Sequence, residues 1–199
     1  MEDTALLTDD EIVALCAANG KPWPISLMTV KTTTEELTSA GIRGMRSLLV
    51  RRLAGGNAEA PGFRPHEFIA RDAAAFAEAT ERVGAYIAPT ADPSMLNGAA
   101  ITAARTDDGW VIDSATAAGV HALRRATAEG ARAAVLALIE SAYAGNLFSE
   151  EDASKWLCAV RFGPDARNAL AVRTGAVTGT VDGAPVTQWD PELLNSAFA

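Results

Sequence analysis

Apolar residues recur at helical spacing in the first eighty positions and at alternating spacing after them. Ile12, Val13, Leu15 and Cys16 form a stripe behind Thr8, and Glu11, three residues on, completes a capping box. Asn19-Gly20 closes this helix, and Pro22 and Pro24 block its resumption. Ile25 and Leu27 alternate, with Thr29 following less clearly, which predicts a short strand over 25–30. Thr33 or Thr34 caps a second, short helix, with Glu35 and Glu36 at its positive end. A third helix is expected over 42–54, apolar at Met45, Leu48, Leu49 and Leu53 and basic at Arg43, Arg46, Arg51 and Arg52. Gly55-Gly56 stops it, and a fourth helix is expected over 65–82, opened by Pro65 and carrying Phe68, Ile69 and Phe76.

The period changes at Val83, where a strand is expected over 83–88. A connection with two prolines, 89–98, leads to a hairpin of 100–105 and 110–113 turning at Asp107-Asp108-Gly109. A long helix is expected from Ser114 or Thr116 to about Tyr143, interrupted by Gly119 and Gly130 and ended by Gly145-Asn146. Beyond a helical turn at 150–155, short strands are expected over 157–162, 169–173, 176–181 and 185–189, then a closing helix over 191–198. The expected class is α+β, with helices packed on antiparallel β-sheets, a helical N-terminal part and a strand-rich C-terminal part. Two regions are expected: an α+β domain over 1–145 and a short strand-rich region over 146–199 packed on it.

Composition narrows this picture. The chain has 199 residues, 49% of them hydrophobic, enough for a real core and against intrinsic disorder. Its net charge of −8 argues against a large phosphate-binding face, so nucleic acid is not the expected partner. Cys16 and Cys158 are far apart and read as buried free thiols, which suits a reducing compartment and a cytoplasmic location. The start of the chain is acidic and lacks the apolar core of a signal peptide. The most apolar stretch, 131–144, is short and carries Arg132 and Glu140, so no membrane insertion is expected.

Candidate chemistry is sparse. His66 stands at a helix start and His121 on the expected long helix, and neither has a sequence neighbour that activates a nucleophile. Zinc spacing, nucleophile-elbow, P-loop and dinucleotide fingerprints are absent. Asp107-Asp108 reads as a hairpin turn, and Glu150-Glu151-Asp152 as the acidic first turn of a short helix. The sequence therefore names no catalytic residue, cofactor or metal ligand. An enzyme with a site assembled from distant residues is one reading left open.

The order of elements points to a binding protein. The run from Leu7 through Gly20, Pro24 and Leu27, followed by a helix ending in Leu49, Arg52 and Leu53, resembles the start of the EspG family. Those proteins are cytosolic chaperones of actinobacterial type VII (ESX) secretion. The resemblance covers about residues 6–143, whereas the family's second α+β half is replaced here by a short strand-rich part. It implies a non-enzymatic protein that shields the apolar tip of a helical secretion substrate. Met95 and Leu96, within 89–98, are the nominated contacts, with Ile101 and Trp110 beside them, because a flexible methionine next to a leucine suits a surface that fits a helix. The alternative is a winged-helix-like transcriptional regulator binding DNA through the basic helix 42–54.

Overall fold

The alternation that starts near Val83 builds one large sheet. The structure is a computed structural model that describes residues 4–56, 62–88, 100–143, 156–163, 167–173, 176–181, 183–188, 190, 192, 197 and 198. Its elements run β1 (Ala5–Thr8), α1 (Asp9–Asn19), α2 (Thr34–Val50), β2 (Ala54–Gly55), β3 (Arg64–Pro65), α3 (Glu67–Glu78), β4 (Arg82–Ala88), β5 (Ala100–Thr106) and β6 (Gly109–Ala115). There follow β7 (Val120–Ala126), α4 (Ala128–Tyr143), β8 (Trp156–Phe162), β9 (Arg167–Arg173), β10 (Ala176–Val181) and β11 (Ala184–Pro185). Among the described residues, nine strands form one antiparallel sheet in the order β1-β7-β6-β5-β4-β8-β9-β10-β11, and β2 and β3 pair separately. β8 joins the late strands to the early ones by pairing with β4, Gly84 opposite Val160.

Because side chains alternate across a strand, each strand supplies both faces of the sheet. One face, with Leu7, Tyr86, Val111, Leu123, Cys158 and Val160, is covered by α1, α2 and α3 through Ile12, Leu15, Leu48, Ile69 and Phe76. The other, with Val83, Trp110, Ile112 and Leu157, is covered by α4 through Val135 and Ile139, and by Phe198. Burying each of these large apolar side chains contributes about 1.5–3 kcal/mol. The class is thus α+β, antiparallel sheet with helices packed on it, as the periodicity indicates.

Several local expectations hold. Thr8 caps α1 and Glu11 closes the box, accepting from the Thr8 N–H at 2.9 Å. β4, β5 and β6 lie where alternation places them, with Thr106 opposite Gly109 across the turn. β8, β9 and β10 match the later strands. Both cysteines are free thiols as expected; Cys158 is buried, whereas Cys16 is only half-buried.

Others are corrected. Residues 25–30 form no strand; they run irregularly, pinned by side chains rather than by a ladder. The two helices expected from Thr33 to Ala54 are one helix, α2, because Gly41 and Gly44 do not break it. Gly44 is where α2 crosses α1, and a Cβ there would overlap the Asp10 carbonyl. α3 ends at Glu78, short of the expected 82. The largest correction concerns 114–143. It holds a turn at Gly119 (φ 69°), then strand β7, and only then α4 from Ala128. The Ala, Leu and Arg of β7 favour helix locally, and pairing with β6 and β1 overrides that preference. β1, β2 and β3 carry too little pattern to be read in advance. The late strand is limited to Ala184–Pro185. Residues 89–98, 145–146, 150–155 and 189, with most of 191–198, lie outside the described residues.

Candidate functional site

Asp9 is the first residue of α1, Asp113 faces inward on β6, and His121 faces inward on β7. The fold brings them together although 112 residues separate Asp9 from His121. The imidazole bonds Asp9 Oδ1 through Nε2 at 2.7 Å and Asp113 Oδ2 through Nδ1 at 2.8 Å. All three side chains are 0% exposed. The second oxygen of Asp9 accepts from the Thr29 N–H at 2.5 Å and from its hydroxyl at 2.7 Å. The Asp9 N–H donates to the Gly119 carbonyl at 2.9 Å. Gly119 is required here: a Cβ would stand 2.6 Å from Asp9 Oδ2 on a left-handed backbone.

This relay carries a buried imidazolium between two carboxylates. Burial alone pushes the His121 pKa down, but the hydrogen bonds and charges of Asp113 and Asp9 outweigh it and raise it from 6.5 to about 9. Burial likewise pushes Asp9 up, and the bonds from His121 and Thr29 reverse this, holding the carboxyl below its ordinary 3.8. Both ring nitrogens are engaged at hydrogen-bond distance, so neither is open to a substrate or a metal ion. Among the described residues no cluster of His, Cys, Asp or Glu suits a metal. The arrangement orders structure: it ties the start of α1 and the irregular segment after it to the sheet.

The pH dependence follows from the signs. The raised histidine stabilises the fold fully below about pH 6.5, and this is lost as pH rises through about 9. The depressed Asp9 stabilises it above about pH 3.8, and this is lost as pH falls through its folded pKa. The melting temperature should therefore fall between about pH 6.5 and pH 9, and a His121→Leu variant should lose that slope. An unchanged slope in the variant would show that other groups set it.

The relay also shapes a surface. Thr29 holds one end of the irregular segment, and Trp23 packs edge-on over His121 (6.1 Å between ring centres) and stacks on Phe76 (4.5 Å). The segment so fixed forms one wall of an open groove of about 510 Å³. α1 supplies Val13, Cys16 and Ala17, the segment supplies Trp23, Ile25 and Leu27, and α2 supplies Leu37 and Thr38. Burial pushes the Cys16 thiol up to about 11, so it behaves as an apolar lining group rather than a thiolate.

Of the four nominated partner contacts, Ile101 and Trp110 are among the described residues. Met95 and Leu96 lie outside the described residues. Trp110 is 4% exposed and packs on Phe198, with ring centres 5.2 Å apart. Ile101 is half-buried on the same face under α4, so neither side chain belongs to the groove. Of the arginines in 42–54, Arg43 forks onto Asp10 at 2.8 Å and also reaches Glu36, and these bonds hold it more firmly protonated. Arg51 bonds the buried Glu11 at 2.6 Å and the Leu6 carbonyl at 2.8 Å. Sequence reasoning missed Asp9, Asp113 and His121 as a set. The one available signal was a histidine among apolar residues, which must find partners if buried.

The fold and this site define an α+β protein with an irregular wall between α1 and α2 held over a buried ionic relay, beside an apolar groove. No protein-family model matches the chain, and no curated protein matches it either. Among the described residues no helix is long and apolar enough to cross a membrane.

Proposed function

We propose that this chain is a non-enzymatic partner-binding protein of the secretion-chaperone kind, acting in the cytoplasm and shielding an apolar helical segment of another protein. The observation that carries this reading is the open groove between α1, the irregular wall and α2, lined by Val13, Trp23, Ile25, Leu27 and Leu37. An apolar, concave surface of that size suits a helix laid along it. The buried relay supports the reading because it preorganises the wall, which lowers the ordering cost of binding. The resemblance to type VII secretion chaperones agrees with it.

The test is a pull-down from native lysate with mass-spectrometric identification, comparing wild type with Ala17→Glu/Thr38→Glu. Both positions line the groove and are exposed, so the melting temperature should hardly change. A helical partner captured by wild type and lost by the variant is the expected result. Equal capture by both would place the contact elsewhere, with Met95→Asp/Leu96→Asp the next pair to compare. No capture at all would remove the chaperone reading.

A further inference from the structure

α2 has two different faces. Ala40, Gly44 and Leu48 are buried against α1. On the opposite side Ile42, Leu49 and Val50 are 42%, 46% and 84% exposed. With about 100° of rotation per residue, Ile42 and Leu49 stack on one face with Arg46 between them and Val50 beside them. Six large hydrophobic residues are exposed among the described residues, and three of them fall on this stretch, so it is a patch rather than scatter. Thr38, which lines the groove, stands one turn before Ile42, so the groove and the patch adjoin along α2.

The surroundings are cationic. No Asp or Glu occurs between Glu36 and Gly56, although the chain as a whole carries −8. Arg43 and Arg51 are held by carboxylates of α1 and α2. Arg46 and Arg52 are exposed, and among the described residues neither has a carboxylate within ion-pair distance. Arg52 also occupies a left-handed backbone position (φ 58°) just past the helix, where glycine would sit without strain.

We propose that the outer face of α2 docks an acidic amphipathic helix of a partner protein, its apolar stripe on Ile42, Leu49 and Val50 and its carboxylates against Arg46 and Arg52. The inference rests on the partner-binding reading and adds the charge and periodicity of the segment recognised. The rim arginines act mainly on selectivity and association rate, while the apolar stripe supplies affinity. Nucleic acid fits less well, because three large apolar side chains would face phosphates. The patch spans nine residues of helix, about 12 Å, too short to hold the chain on a lipid surface.

The experiment uses a fluorescently labelled, alanine-rich helical peptide of about 20 residues, with leucine at i, i+3, i+4 and i+7 and a few glutamates flanking that stripe. A twin carries lysine for glutamate, and a duplex oligonucleotide and phosphatidylserine vesicles are the other arms. Saturable binding of the acidic peptide at least about tenfold tighter than the twin, weakened by salt, is expected. Leu49→Glu and Arg46→Glu should each weaken it about tenfold or more without altering the melting temperature. Val50→Glu, at the most exposed position, serves if Leu49→Glu melts early. Equal binding of both peptides, unchanged binding by the variants, or preference for the oligonucleotide or vesicles would overturn the proposal. A partner captured from lysate that Leu49→Glu still holds would overturn this surface and leave the chaperone reading standing. Selective peptide binding without any captured partner would do the reverse.

Discussion

His121→Leu is expected to destabilise the protein by about 3–5 kcal/mol, the usual cost of removing one member of a buried ionic network. The substitution leaves Asp9 and Asp113 buried without the cation between them. The rise of the histidine pKa from 6.5 to about 9 alone corresponds to roughly 3 kcal/mol favouring the folded imidazolium at high occupancy. For a chain of this length that is a fall in melting temperature on the order of 10 °C. The damage should be local as well as global. Thr29 and Trp23 depend on the relay for their positions, so hydrogen exchange at the Thr29 amide should quicken well before global unfolding. Equilibrium unfolding and exchange together check this. A loss below about 1 kcal/mol would show that the two carboxylates take up protons and repack without the imidazole.

Gly44→Ala and Gly41→Ala should have opposite effects although they lie one turn apart on the same helix. At Gly44 an added Cβ would overlap the carbonyl of Asp10, which is backbone in the first turn of α1 and cannot swing away. The helices must separate. That strains the Arg43–Asp10 fork and the bonds from Ser47 and Arg51 to Glu11. A loss of about 3 kcal/mol, at or beyond the upper end of ordinary overpacking, is expected. At Gly41 the nearest atom is Val13 Cγ1 at 3.8 Å, an ordinary contact, so alanine should stabilise the helix by about 0.5–1 kcal/mol. Urea unfolding of the two variants side by side decides the matter. Equal stabilities would mean that α1 and α2 do not cross at Gly44.

Whether a helix is one or two, and what a charged residue faces, could not be read locally. The basic stretch 42–54 looks like a uniformly cationic surface in sequence, because arginine positions show but their partners do not. In the fold, Asp10, Glu36 and Glu11 take up Arg43 and Arg51, whereas Arg46 and Arg52 have no carboxylate within ion-pair distance among the described residues. The groove is illegible for the same reason. Its wall has no regular structure and hence no period; two long-range hydrogen bonds from Thr29 to Asp9 hold it in place.

The amino-acid sequence by itself determined the α1 capping box, the β5–β6 hairpin at Asp107-Asp108, and the strands β4, β8, β9 and β10. Each depends on residues within a few positions of one another, where caps, turn chemistry and alternation act directly. Only the tertiary structure decided that 120–126 is a strand rather than helix, and that α2 is continuous through a glycine crossing. It also decided that His121 stands between two aspartates. These outcomes depend on partners in other elements, among them β1 for β7, Asp10 for Gly44 and Asp9 for His121, and burial and pairing there outweigh local preferences of a few tenths of a kcal/mol per residue.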